Sequence, residues 1–300
     1  MTSRVCVLVI SALVLCTHLL PADNTNKLWL MYEQGNTAAS QKEYGLALQL
    51  YKSAIESAGI FPEAEVAIGD VYMEEGEVTL AQKQYEKAYD LRKSLYIPDD
   101  QYAISYKLAN LFELEQLYKQ MEDTLLRVAA DDKRFQESPN QHLRTQVEKN
   151  YIEKGLDRVI GLYSFDDSFA SAAHSKLGWF YYRTGRYTQA VSQLLYSVIY
   201  RASVVERYSR ERDVDQEFGS LAELLAAVDN SPELKAYASS VGLFKDLYYL
   251  AGSTFAAGYP RHSTTIWKLL GSMPSAGQYS ELSARQLKKP FIEPILTVQR

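Results

Sequence analysis

The sequence is poor in the residues that enzyme chemistry most often uses. Its 300 residues include only two cysteines and four histidines. The histidines have no second ligand at helical spacing, which argues against a metal site; they are His18, His142, His174 and His262. The chain has no Gly-x-Ser-x-Gly motif, no phosphate-binding glycine loop and no His-Glu-x-x-His motif. We therefore expect a protein that is not an enzyme and that uses no cofactor or metal.

The chain also lacks an excess of positive charge. The chain has 32 Lys and Arg residues against 37 Asp and Glu residues, a formal net charge of −5. A nucleic-acid surface normally needs a clustered basic face, so we expect no nucleic-acid partner. A hydrophobic content of 47% with 23% charged residues is typical of a folded protein.

A long apolar run occurs at the N-terminus, in residues 5–16 after Arg4. It is shorter than the roughly 20 residues that a membrane span requires. The small residue Ala22 follows Leu20 and Pro21, and this arrangement of a basic start, an apolar centre and a small residue is typical of a secretory signal. We predict a signal peptide over residues 1–22 and export of the remainder to the periplasm.

Two alternatives exist for the processing of this segment. Cleavage after Ala22 removes both Cys6 and Cys16, so no disulfide could form. The tetrapeptide Leu-Val-Leu-Cys at residues 13–16 instead resembles a bacterial lipobox, which would leave a lipid anchor at Cys16. Leu15 is larger than the residue usually found before that cysteine. Such an anchor would be the protein's sole contact with the membrane.

Small and bulky residues recur at a fixed interval in the N-terminal third. Gly35, Ala47, Tyr51 and Ala54 recur 34 residues later as Gly69, Ala81, Tyr85 and Ala88. This period and spacing resemble the tetratricopeptide repeat, a helix–turn–helix unit. The resemblance implies an all-α fold, a right-handed α-solenoid of stacked antiparallel helix pairs. In such a fold glycine and alanine allow helices to cross closely, and tyrosine and leucine fill the space between crossings.

The resemblance also divides the chain. Three N-terminal units are predicted within residues 23–135, and the remainder, 136–300, is predicted to be a helical continuation. That continuation contains a strong unit near 171–204, a degenerate unit near 245–272 that loses the pattern at Pro260, and a C-terminal tail. The segments between units have apolar residues at helical spacing. The recurring Asp-Asp pairs at 99–100, 131–132 and 166–167 are interpreted as helix N-caps.

Pro290 and Pro294 exclude a continuous helix in the tail. Phe291, Ile292, Ile295 and Leu296 are predicted to cover the apolar face of the last repeat, or alternatively to await a partner.

In the family that the chain resembles, the first helix of each unit lines a concave groove that binds a partner. Transferring the repeat register predicts groove residues Tyr32, Asn36, Asp70, Met73, Tyr106, Lys107, Asn110, Trp179, Tyr182 and Arg183. Trp29 and Val66 belong to the same face. The carboxylate clamp of chaperone-binding relatives is incomplete, because Asp70 replaces its middle asparagine. Trp179 and Tyr182 could alternatively pack against the helix at 140–165.

Two functions remain open at this point. The first is a non-catalytic interaction protein of the bacterial cell envelope that binds a protein partner, periplasmic or envelope-associated, through the concave groove. The alternative is a carrier or accessory protein that binds an apolar small molecule for a periplasmic transport system.

Overall fold

The computed structural model describes residues 22–132, 140–166, 169–212, 218–293 and 296. The predicted signal segment lies outside the described residues up to position 21. None of the described residues lies in a β-strand. The α-helices of the described residues are α1 (Ala22–Ser40), α2 (Tyr44–Ala58), α3 (Pro62–Glu74), α4 (Val78–Asp90), α5 (Asp100–Leu114), α6 (Tyr118–Asp131), α7 (Asn140–Lys154), α8 (Leu156–Ile160), α9 (Ala170–Arg183), α10 (Tyr187–Arg212), α11 (Leu221–Asn230), α12 (Pro232–Val241), α13 (Leu243–Ala256), α14 (Pro260–Gly271) and α15 (Gln278–Lys288).

The all-α prediction is confirmed, and helices adjacent in the chain pack in pairs, as in an α-solenoid. The right-handed superhelix stays a prediction. The chain forms two compact units, Met1–Pro98 and Asp99–Arg300. The helices of the third predicted repeat, α5 and α6, therefore belong to the second unit.

In the first unit, α1 pairs with α2 and α3 pairs with α4 around recurring small residues. A Cβ atom added at Gly35 would lie 2.5 Å from Cε1 of Tyr51, and one added at Gly69 would lie 2.5 Å from Cε1 of Tyr85. Both tyrosines are buried, and the two crossings are equivalent. The recurrence of glycine and tyrosine at an interval of 34 residues therefore reflects repeated helix contacts.

In the second unit, α9 and α10 pack together, and further helices of the unit contact this pair. A Cβ at Gly178 would lie 2.8 Å from Cδ2 of Leu194, so this pair crosses as closely as those of the first unit. Helix α10 is 26 residues long and also contacts α13.

The degenerate unit also forms a helix pair. α13 pairs with α14, although the repeat pattern fails at Pro260. Pro260 stands in the first turn of α14, where a proline is tolerated because its missing N–H would have no partner inside the helix.

The segments between the predicted repeats are helical, as expected: they form α7 and α8, and α11 and α12. Serines cap two of these helices, since the side chains of Ser220 and Ser231 accept hydrogen bonds from the backbone N–H groups of Glu223 and Leu234.

The prediction that the Asp pairs act as N-caps holds for the position of one pair and is wrong for another. Asp99 stands at the N-cap position of α5, although its side chain makes no capping hydrogen bond. Asp132 follows the end of α6, where it is buried and accepts a hydrogen bond from the Tyr200 hydroxyl. Asp167 lies outside the described residues.

Candidate partner-binding surface

A cleft of about 250 Å³ lies within the first unit, between α1, α2 and α3. Tyr32, Asn36 and Asp70, which the repeat register predicts for the groove, all line it, and so does Val66. Predicted residues from two successive repeats therefore converge on one concave site. Met73 is half-buried and is not among the residues that line the cleft.

Two equivalent hydrogen bonds orient the polar residues of this cleft. The Tyr51 hydroxyl donates to Asn36 Oδ1 over 2.9 Å, and the Tyr85 hydroxyl donates to Asp70 Oδ1 over 2.7 Å. Each bond joins residues 15 positions apart, in corresponding places of the first and second repeats. The tyrosine that packs on the glycine of the first helix thus also holds the neighbouring polar side chain in place.

The hydroxyl groups at this site remain protonated at neutral pH. Burial raises the pKa of Tyr51 to about 12, with further contributions from Tyr32 and from the charges of Asp70 and Glu33. Burial is also the largest cause of the raised pKa of Tyr85, and the hydrogen bond to Asp70 raises it further. Both tyrosines therefore act as fixed hydrogen-bond donors to Asn36 and Asp70.

The cleft is acidic. Asp70 and Glu74 line it, whereas the described residues of its lining include no Lys or Arg. Burial is the main cause of the raised pKa of Tyr32, and its hydrogen bond with Asn36 opposes this effect. The negative charges of Glu33, Glu63 and Asp70 raise the pKa of Tyr32 further. These negative charges favour a ligand group that donates hydrogen bonds and carries positive charge.

An aromatic cluster lies beside the cleft. The Trp29 ring meets Phe61 edge-on at 4.9 Å and Tyr32 edge-on at 5.6 Å between ring centroids. Tyr96 also approaches Trp29, at 5.6 Å, and remains 78% exposed. Exposed aromatic side chains are favoured at binding hot spots.

In the third repeat, the predicted groove residue Tyr106 makes a contact that joins two helices. The Tyr106 hydroxyl donates to the Phe169 carbonyl and accepts a hydrogen bond of 2.9 Å from the Ala173 N–H, so it joins α5 to the start of α9. Burial raises the pKa of Tyr106. Lys107 is half-buried and Asn110 is exposed on the same helix.

The predicted residues of α9 lie against α13. Tyr182 is 2% exposed and its ring centroid lies 5.2 Å from that of Tyr249, so it packs against α13. Trp179 is half-buried. Its ring lies beneath two cations, with the Arg183 guanidinium at 5.9 Å and the Lys245 ammonium at 5.1 Å from the ring centroid.

The chain's own C-terminal residues contact this face of α9. Glu293 pairs with Arg183 at 3.6 Å, and the Leu296 N–H donates to the Arg183 carbonyl over 2.6 Å. The tail prediction was that apolar residues cover the last repeat. Phe291 and Ile292 instead remain 40% and 43% exposed, and Ile295 lies outside the described residues.

A larger open cavity of about 690 Å³ lies within the second unit, at the turns that follow α5 and α9. Leu117, Tyr118, Phe180 and Leu296 supply apolar surface, and Lys119, Glu122 and Arg186 supply charge. Arg186 pairs with Glu122 at 2.7 Å, which neutralises part of that charge.

Sequence reasoning missed the residues of the second helices. Tyr44 and Tyr51 line the first cleft, and Tyr85 orients Asp70. The spacing of 15 residues from Asn36 to Tyr51 and from Asp70 to Tyr85 was present in the sequence and could have paired them.

Comparisons with known proteins identify no family. No family model matches the chain. The chain is similar to an uncharacterized protein of Treponema pallidum (strain Nichols), with 24% identity over 239 residues. The similarity covers 78% of this chain and 63% of that relative, so the chain spans less than two thirds of the relative's length. Among the described residues, no helix has the length and apolar character needed to cross a membrane.

Proposed function

We propose that this protein is a non-catalytic interaction protein of the bacterial cell envelope that binds a protein partner through the first-helix faces of tetratricopeptide-type repeats. Export is inferred from residues 1–22, with cleavage after Ala22 or lipidation at Cys16. The partner is then a periplasmic or envelope-associated protein.

One observation carries this proposal: the duplicated hydrogen bond from a second-helix tyrosine to Asn36 and to Asp70 within one cleft. Both acceptors are held by buried tyrosines before any ligand arrives. A preformed site needs little ordering when it binds, so more of the interaction energy appears as affinity.

The chemistry of the cleft favours a particular kind of ligand segment. Asp70 and Glu74 supply negative charge, and Tyr32 and Tyr44 supply aromatic surface. A Lys or Arg side chain of the partner satisfies both features, because its stem packs on the rings while its charge meets the carboxylates.

The test begins with a photo-crosslinking amino acid at Asn36 and, as the control, at Lys83. Lys83 is exposed on α4 and does not line the cleft. We expect crosslinking in intact cells to link a partner from position 36 and not from position 83. Mass spectrometry of the product identifies the partner and the mature N-terminus.

Affinity for the purified partner then tests the cleft. Asp70→Asn keeps the shape and an oxygen that can accept the Tyr85 hydrogen bond while it removes the charge. We expect it to weaken binding about tenfold, which corresponds to about 1.4 kcal/mol. Glu86→Gln is the matched control, because Glu86 is exposed on α4 outside the cleft. Equal affinities for these two variants would contradict the proposal.

The carrier function is a second candidate because of the cavity of about 690 Å³ beside Leu117 and Phe180. Its volume falls in the range of small-molecule sites. Native mass spectrometry of the protein purified from its own host distinguishes the two functions. A bound small molecule that is lost on Leu117→Arg, with partner crosslinking at position 36 absent, would favour the carrier.

A further inference from the structure

Two of the described residues after α15, Glu293 and Leu296, contact the face formed by α9 and α13. Three hydrogen bonds and one ion pair connect them to this face. The Glu293 N–H donates to the Tyr182 hydroxyl over 3.2 Å, the Tyr249 hydroxyl donates to the Glu293 carboxylate over 3.4 Å, and the Leu296 N–H donates to the Arg183 carbonyl over 2.6 Å. This segment therefore lies on the helix that the repeat register assigns to partner binding.

The ion pair between Arg183 and Glu293 has poor hydrogen-bond geometry. The Arg183 guanidinium lies 3.6 Å from the Glu293 carboxylate, which is beyond normal hydrogen-bond distance. Within the described part of the chain, Arg183 Nε is buried and has no hydrogen-bond acceptor. A guanidinium can bind a carboxylate through two parallel hydrogen bonds, and the tail does not achieve that geometry.

The apolar residues Phe291 and Ile292 of the tail also bury little of their surface. Phe291 and Ile292 keep 40% and 43% of their surface exposed. Phe291 is held mainly by its neighbour in the chain, since its N–H and carbonyl both bond to the Gln286 side-chain amide, at 2.9 and 3.1 Å. Phe291 and Ile292 therefore contribute little buried apolar area that would oppose release of the segment.

The face beneath the tail has the chemistry of a site for an acidic segment. Arg183 and Lys245 both lie over the Trp179 ring. Burial lowers the pKa of Lys245, and its neighbours Lys176 and Arg201 lower it further, whereas Asp246 and Glu113 raise it. The tail brings the carboxylate of Glu293 to one of these cations, Arg183.

We propose that the face of Trp179, Tyr182, Arg183 and Tyr249 is a docking groove for an extended partner segment that carries a glutamate or aspartate among apolar residues. The chain's own C-terminal residues occupy this groove until such a segment displaces them. This inference rests on the proposed function, because it assigns partner binding to repeat faces, but it concerns a different surface and the opposite ligand charge.

The energetics allow this exchange. A tethered tail acts at an effective concentration of about 1 mM. If the same segment binds in trans with a dissociation constant of about 0.1 mM, the tail weakens the binding of any competitor about tenfold. A partner that forms the bidentate Arg183 contact overcomes this competition.

The test uses the full chain and a fluorescent synthetic peptide with the sequence of residues 289–300, followed by fluorescence anisotropy. The variant E293R repels Arg183 and releases the chain's own tail. We expect the peptide to bind E293R about tenfold more tightly than the parent. E281R is the matched control, because Glu281 is exposed on α15 and the same charge change leaves the tail in place.

A charge exchange tests recognition of the carboxylate. The chain variant R183E should lose the original peptide and bind a peptide carrying E293R, and this recovery would also demonstrate that the variant is folded. If E293R and E281R bind the peptide equally, the tail is a fixed part of the fold and the proposal fails. Equal binding of both peptides to R183E would refute recognition of the carboxylate. Neither result affects the cleft of the first unit, which Asp70→Asn tests separately.

Discussion

Gly69→Ala tests whether close helix crossings hold the repeats together. A Cβ at this position would lie 2.5 Å from Cε1 and 2.7 Å from Cδ1 of Tyr85. The tyrosine cannot easily move away, because its ring is 3% exposed and its hydroxyl is bound to Asp70 at 2.7 Å. One added methyl group therefore forces α3 and α4 apart or breaks the hydrogen bond that orients the cleft.

The magnitude follows from two opposing effects. Overpacking of a well-filled core costs about 1–3 kcal/mol. Replacing glycine by alanine inside a helix contributes up to about 1 kcal/mol in the other direction. We expect Gly69→Ala to lower the local free energy of unfolding of the α3 and α4 pair by about 1–2 kcal/mol. Gly45→Ala is the matched control, because an added Cβ at Gly45 in α2 would meet no described atom within 4 Å apart from its own helix backbone and chain neighbours, and it should be neutral or stabilising.

Hydrogen exchange followed by mass spectrometry is the appropriate assay. The chain forms two compact units, so one global free energy of unfolding is not well defined. Protection of the peptides from α3 and α4 reports the local stability directly. We expect Gly69→Ala, and not Gly45→Ala, to reduce this protection.

A double-mutant cycle tests the cause. In a Tyr85→Ala background the obstructing ring is absent, so Gly69→Ala should cost nothing further. Equal protection of the α3 and α4 peptides in Gly69→Ala and Gly45→Ala would refute the assigned helix crossing. An unchanged cost of Gly69→Ala in the Tyr85→Ala background would refute the assigned partner.

Three other perturbations address buried polar residues. Burial lowers the pKa of His174 from 6.5 to about 4. Because the unfolded chain then binds the proton at a higher pH than the folded chain, roughly 3 kcal/mol of stability should be lost as pH falls from 6.5 to 4. His174→Gln should reduce this loss in acid denaturation. Asp246 forms a buried ion pair with Arg201, so Asp246→Ala should cost roughly 3–5 kcal/mol. Asp246→Leu with Arg201→Met should recover part of that loss in thermal melts, because Ser175 and Ser197 lose the carboxylate that accepts their hydrogen bonds. Burial raises the pKa of Tyr51 to about 12, so stability should fall as pH rises from 10 to 12, and Tyr51→Phe should reduce that fall in alkaline denaturation.

The helix pairs could be predicted because their determinants are local and repeated. Gly35 and Tyr51 recur at the same interval as Gly69 and Tyr85, and each pair makes the same contact. The pair α13 and α14 was harder to predict, because Pro260 interrupts the pattern. A proline in the first turn begins a helix, whereas one in the interior breaks it, and the sequence pattern alone did not distinguish these positions.

The candidate sites could be predicted only in part. The repeat register placed Asn36 and Asp70 on a common face, and both line the cleft. It did not reveal that Tyr182 is buried against α13, because that contact joins residues far apart in the chain. The same holds for Asp132, whose neighbour Tyr200 lies 68 positions away.

By itself, the sequence determined the all-α class and the residues at the close crossings of successive helices, because helix periodicity and the recurrence of small residues act over short distances along the chain. Only the tertiary structure decided that Glu293 meets Arg183 and that Asp246 pairs with Arg201. Such contacts depend on how helices distant in the sequence pack against one another. The sequence alone does not distinguish a polar side chain that faces water from one that faces a buried partner or the chain's own tail.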